Sequence, residues 1–196
     1  MRVSRIKAAE NRQTVIDVAS RLFRERGFDG IGLKDLMKAA GLTQGAFYKQ
    51  FGSKEDLAAQ ASRRAMTSAF NRFSAAAAAN PDDPLGAATA LYLSTEHREE
   101  RMDGCPVAAL GSDAARQGAD VKASFEAGIR EYLEMLGLWV DEAEGKESGG
   151  KAMAVLSTMV GAMVLSRAVN DPNLAQAFLD SSAQQVREIV ATSSNR

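Results

Sequence analysis

A chain of 196 residues with 45% apolar and 25% charged side chains is built like a globular protein, which sets aside disordered and fibrous classes. The single cysteine, Cys105, excludes an intrachain disulfide framework and a cysteine-based zinc site, as suits a reducing compartment. Formal net charge is −1, but residues 1–64 hold 13 Lys/Arg against 7 Asp/Glu, whereas residues 65–196 hold 11 against 18.

A basic first third on an acidic body is the asymmetry expected when one end faces a polyanion; chance clustering on a solvated surface gives the same count. The opening MRVSRIKAAENRQ is basic and lacks the apolar core and cleavage site of a signal peptide. The longest charge-free apolar run, Ala152 to Ser166, is fifteen residues, whereas spanning a bilayer takes about twenty. The expectation is a cytoplasmic chain with no membrane partner.

The periodicity is helical throughout, and the expected fold class is all-α. From Ala8 to Arg26, apolar residues recur at three- and four-residue spacing (Val15, Ile16, Val18, Ala19, Leu22, Phe23), and Gly27 ends that helix. Leu33, Leu36, Met37 and Ala40 mark a short second helix stopped by Gly41. Thr43 is placed to cap a third that turns Phe47 inward, and Ser53 to cap a long fourth with Glu55 and Asp56 in its first turn. NPDDP (80–84) breaks the fourth helix after an alanine run. Helices then follow at about 84–97, 106–117, 119–143, 150–170 and 173–192, separated by DGCP, EGKESGG and NDPN.

LKDLMKAAGLTQGAFYKQF is therefore a helix, a glycine turn and a second helix, the helix-turn-helix arrangement whose second helix enters the DNA major groove. From Gly41 to Phe51 there is no carboxylate, which a duplex would repel. Thr43, Gln44, Gly45 and Ala46 form a first turn whose N–H groups favour phosphate. Gln44 suits a base edge, and Ala46 suits a thymine methyl. Tyr48, Lys49 and Lys54 offer a hydroxyl and two charges to the backbone. The bland reading is an ordinary helical hairpin with a solvated face.

Residues 10–60 resemble the tetracycline-repressor (TetR) family of bacterial transcription regulators, through VASRLFRERGF and LKDLMKAAGLTQGAFYKQFGSKEDL. The resemblance implies a helix-turn-helix DNA-binding domain over 1–52 and a helical regulatory and dimerisation domain over 53–196, joined by a helix at 53–79. It implies operator DNA, a second copy of the chain and a small-molecule effector as partners. By the same resemblance, Thr43, Gln44, Gly45, Ala46, Tyr48, Lys49 and Lys54 fall on DNA-contacting positions, with Phe47 and Phe51 in the core. One departure is Ile31-Gly32, where the family often has Thr-Ser to cap the second helix and touch phosphate.

The body says less. Val155, Leu156, Met159, Val160, Met163 and Val164 make a helix apolar over most of its circumference. It is expected either as a core helix or, with Phe178 and Val186 of the last helix, as a dimer seam. Tyr92, Phe125, Tyr132, Met135, Leu136, Trp139 and Met153 are candidate pocket residues for an apolar or aromatic effector, or plain core. His97, among Glu96, Glu99 and Glu100, is expected to be solvated. Cys105, before Pro106, is expected at a helix start, where it would be either a redox or electrophile sensor or a small buried apolar residue.

An enzyme has little to build on with one His, one Cys and carboxylate pairs such as Glu131 and Glu134 on solvated faces. EGKES lacks the glycine of a phosphate loop, since Val140 stands there. No metal or cofactor is expected. The alternatives to an effector-released repressor are a thiol-based repressor using Cys105 and a helical interaction module without specific DNA binding.

Overall fold

The computed structural model describes residues 5–140 and 148–191. Its described elements, all helical, run α1 (Arg5–Arg26), α2 (Leu33–Ala39), α3 (Gln44–Phe47), α4 (Lys54–Ala78), α5 (Pro84–Tyr92), α6 (Thr95–Glu99), α7 (Pro106–Ala114), α8 (Ala119–Val140), α9 (Ser148–Ala168) and α10 (Pro172–Ala191). The EGKES segment lies outside the described residues apart from Ser148, which begins α9. Two compact units divide the chain, and neither is one continuous stretch: Met1–Ser68 joins Arg101–Ala127, and Ala69–Glu100 joins Gly128–Arg196.

In the first unit, α1 packs on α2 and turns Val15, Ile16, Ala19 and Phe23 inward; Leu36 and Met37 of α2, Phe47 of α3 and Leu57 and Ala61 of α4 are buried in the same unit. Gly27 closes α1 at φ +78°, a left-handed conformation that costs glycine little and other residues more. Phe28 then tucks under the helix end, its ring 5.2 Å from Phe23. Ile31 is buried and Gly32 sits at the start of α2 with no side-chain cap, so the departure at Ile31-Gly32 exchanges a capping hydroxyl for core contact. α7 packs on α1 beside a buried arginine. Arg24 Nε donates to the Ser20 carbonyl (2.9 Å) and Nη1 to the Gly104 carbonyl (2.8 Å), while Asp103 lies 3.7 Å from Nη2. Such pairing is what a buried guanidinium requires. Its neighbour Arg21 donates to the same Asp103 at 2.8 Å.

In the second unit, the short connection after α9 folds α10 back along it. α10 is strongly amphipathic, burying Ala175, Leu179 and Val186. α9 is the described helix long and apolar enough to cross a membrane by length and composition: Gly149–Ala168 has mean hydropathy 1.3, and 33% of it is buried within the chain. The charge-free run of the sequence stops short of that length, but the helix continues through Lys151 and Arg167. Arg167 is fixed, donating to the carbonyls of His97 (2.6 Å) and Arg98 (3.0 Å).

The helix expected at 84–97 is two helices. Asp83 caps the first, accepting from Gly86 N–H (2.8 Å), and Leu93 ends it. Ser94 then caps the second, accepting from His97 N–H at 3.1 Å. That break corrects the expectation for His97. The new helix turns the imidazole inward, where it is fully buried against Tyr92 (centroids 4.8 Å) and Phe73 (5.6 Å), while Glu96, Glu99 and Glu100 are exposed. The Nδ1–H donates to the Tyr92 carbonyl at 2.6 Å, so the neutral ring carries its proton there. Burial holds the imidazole pKa down to about 4, against the opposing pull of that carbonyl and with Arg167 and Arg72 adding repulsion.

Candidate nucleic-acid interface

The segment from Gly41 to Phe51 is shaped by its glycine turn. Gly41 takes φ +71°, its N–H bonds back to Lys38 O, and Leu42 N–H bonds to Met37 O. This pair of bonds stops α2 and redirects the chain. Thr43 is extended at the start of α3, and its hydroxyl makes no capping bond. One helical turn follows, continued by Gln50 and Phe51 N–H groups that both bond to Phe47 O.

Phe47 fixes which way that turn faces. It is 0% exposed, stacked on Phe51 and edge-on to Tyr48, both rings at 5.3 Å. With Phe47 inward, helical geometry sends Thr43, Gln44, Gly45, Tyr48 and Lys49 outward. Tyr48 is 68% exposed, far from where an aromatic ring settles without a partner. Ala46 and Lys54 are part-buried. The seven residues expected to touch DNA thus lie on one continuous stretch of chain, five of them exposed.

Ser53 caps α4 as expected, accepting from Asp56 N–H at 3.0 Å. The return bond runs from Gly52 N–H to Asp56 Oδ2 (3.1 Å). The Asp56 carboxyl is held below its ordinary pKa, chiefly by a hydrogen bond from Gln60. Arg12 is the residue that sequence reasoning missed. From α1 it reaches the end of the segment, its guanidinium 5.0 Å from the Phe51 ring centroid, with Nη2 donating to Gln60 Oε1 at 2.6 Å. Its place four residues before Ile16, on the face of α1 that packs, is the only sequence signal for it.

The remaining candidates are divided between the two units. Phe125 belongs to the first unit and Tyr92, Tyr132, Trp139 and Met153 to the second. Within the second, Tyr92 and Tyr132 are buried, Tyr132 stacks on Phe70 (6.3 Å), Trp139 is part-buried and Met153 is exposed. Met135 accepts a bond from Ser74 Oγ (3.0 Å), and Leu136 is core. A cleft of about 420 Å³ opens elsewhere in that unit, between α5 and the end of α10, lined by Leu85, Thr89, Ala90, Ala183, Val186 and Val190 with Asp83 and Arg187 at its edge. Thr89 Oγ1 is buried beside it with no hydrogen-bond partner.

Of the seam candidates, Val155, Met159, Met163 and Val186 are buried within the chain, while Val160 and Phe178 are part-exposed. The outward apolar side chains of α9 are Met153, Val164 and Leu165. Cys105 stands at the start of α7 before Pro106, as expected, and is fully buried.

Residues 15–61 match the model of the family described as "Bacterial regulatory proteins, tetR family". Over 56 residues the chain is 45% identical to the HTH-type transcriptional regulator AcrR of Shigella flexneri, covering 29% of this chain and 26% of that one. It therefore spans about a quarter of that relative's length. Over 158 residues it is 25% identical to the HTH-type transcriptional regulator LmrA of Bacillus subtilis, covering 79% and 82% of the two chains. A crystal structure of a transcriptional regulator from Cytophaga hutchinsonii superposes with TM-score 0.79 at 19% identity, over 98% of both chains. That likeness is one of fold.

Proposed function

We propose that this chain, which belongs to the tetR family of bacterial regulatory proteins, is a homodimeric repressor that binds operator DNA and lets go when a small molecule binds its body. One observation carries the DNA reading. An acid-free turn is pinned by a buried Phe47, so that Gln44, Tyr48 and Lys49 are exposed to solvent on its outer side. The exposed hydroxyl of Thr43, unused as a cap, suits a phosphate oxygen. The head is assigned to residues 1–52 and the body to 53–196, with 53–79 as the connecting helix. Neither relative's name states an effector.

Duplex DNA fragments selected by the purified protein, followed by titration against salt, test this. Tyr48→Ala and Lys49→Ala should weaken binding to every sequence, and Lys49→Ala should lower the salt slope by about one charge. Gln44→Ala should relax preference at one or two base pairs by about 1–3 kcal/mol. An equal loss on all sequences from Gln44→Ala would rule out its base-reading role.

One short segment reads too few bases to be selective, which is the physical reason for a dimer. We place the seam on the outward face of α9, where a 20-residue apolar stretch is only 33% buried by its own chain. The tethering of Arg167 and the packing of α10 favour this reading over a membrane span. Val164→Glu, at a site 43% exposed in the single chain, should give folded monomers that have lost tight operator binding. Val155→Glu, at a site 0% exposed, should instead unfold the chain. Sedimentation velocity with circular dichroism separates the outcomes; a Val164→Glu dimer would move the seam elsewhere.

The effector reading is supported by the α5–α10 cleft, whose volume and largely apolar lining suit a small molecule. Recognition segments of a dimer must sit roughly 34–36 Å apart to enter successive major grooves. A ligand that binds a wider-set state more tightly releases the DNA by that difference in affinity alone.

A further inference from the structure

α3 has only four residues, and a helix that short does not recover the cost of its own nucleation. Its face must be held from outside. Phe47 anchors the middle, and the Gly41 turn fixes the entry. The exit, residues 50–52, has no helix of its own, yet the three residues are gripped at three successive points. Arg12 Nε donates to the Gln50 carbonyl at 3.4 Å, and the same guanidinium lies over the Phe51 ring. Gly52 N–H donates to Asp56 Oδ2. The two grips are joined, because Gln60 accepts from Arg12 Nη2 through Oε1 and donates from Nε2 to Asp56 Oδ1, each at 2.6 Å.

We propose that Arg12 is a positioning residue for DNA reading: through the Gln60–Asp56 link it clamps the exit of the recognition segment and so sets the angle at which Gln44 and Tyr48 are presented. This rests on the DNA-binding reading given above. The role needs a planar fork that bonds in two directions while stacking on a ring, which an ammonium cannot supply. A simple phosphate contact would need only the charge.

Arg12→Lys keeps the charge and removes the fork; Gln60→Leu removes the link and leaves surface charge unchanged. Both should keep the helical circular dichroism of the native chain. In both, amide hydrogen exchange at Gln50, Phe51 and Gly52 should quicken about tenfold relative to α1 and α4, reporting local opening. Preference for a duplex selected by the native protein over a random-sequence duplex should fall by about the same factor, with an unchanged salt slope. Native exchange and native preference in both variants would overturn the proposal. So would a loss in Arg12→Lys that is equal on both duplexes and leaves exchange unaltered, since that describes a phosphate contact. If the native chain itself prefers no duplex, the DNA reading fails, while faster exchange in the two variants still upholds the clamp.

Discussion

Phe47→Ala is expected to lower stability by about 3–5 kcal/mol and to abolish operator binding, read as a lower urea midpoint and the loss of a DNA mobility shift. The ring is wholly enclosed and holds both neighbouring aromatics, so its removal leaves a cavity and frees Phe51 and Tyr48 from their contacts. Phe47→Leu, which keeps much of the volume, should cost less than about 1.5 kcal/mol and retain part of the binding. The pairing matters, because a wholly buried Phe47 has no surface to offer DNA. Full operator affinity in a destabilised Phe47→Ala would mean that the exposed residues are aligned by something other than this ring.

Acid should weaken the second unit through His97. Its imidazole ionises near 6.5 in the unfolded chain and near 4 when buried. The unfolded state therefore binds the extra proton first, so the stability that the neutral ring contributes is full above pH 6.5 and drains away as pH falls towards 4. At about 1.4 kcal/mol per unit, the loss over that window is roughly 3 kcal/mol. Below pH 4 this group takes no further toll, because both states are protonated. His97→Gln can still donate to the Tyr92 carbonyl but does not titrate. Urea midpoints measured from pH 7 to 4 should fall less steeply for this variant than for the native chain, and parallel slopes would show that another group drives the acid loss.

The head was legible in the sequence because its signals are local. Gly27 and Gly41 sit where the chain needs positive φ, Ser53 stands at the start of α4, and Phe47 has the spacing to turn inward. What these signals omit is contact across long separations in sequence: Arg12 meets Gln50 and Gln60 from another helix, and no periodicity announces it. In the body, a single local event changed the reading. Three glutamates around His97 suggest a wet surface, but the Ser94 cap starts a new helix and rotates the ring inside. α9 is ambiguous for a different reason. A helix apolar on nearly every side does not say which side its own chain covers; in the fold, with α10 and α6 packed on α9, Val155, Met159 and Met163 are buried and Val164 and Leu165 stay outward. Large apolar side chains such as Tyr92 and Tyr132 suit a core and a pocket equally, so their spacing does not tell the two apart. The α5–α10 cleft is lined by short and branched side chains such as Ala90, Ala183, Leu85 and Val190, which carry no comparable signal in the sequence.

The interleaving of the two compact units bears on how the protein comes into being. Translation delivers α1, α2, α3 and the first half of α4 early, but the unit that contains them also draws on Arg101–Ala127. A nascent chain that has emerged only to Ser68 holds Arg24 with neither the Gly104 carbonyl nor Asp103, and Arg21 without its carboxylate. Arg63 likewise waits for the hydroxyl of Ser124, 2.8 Å away in the finished protein. Residues 69–100, which belong to the other unit, must pass before any of these partners arrives. The amino-terminal helices are made first and completed late: Arg24 waits for residue 104 to leave the ribosome before it meets the Gly104 carbonyl, and Arg63 waits for residue 124.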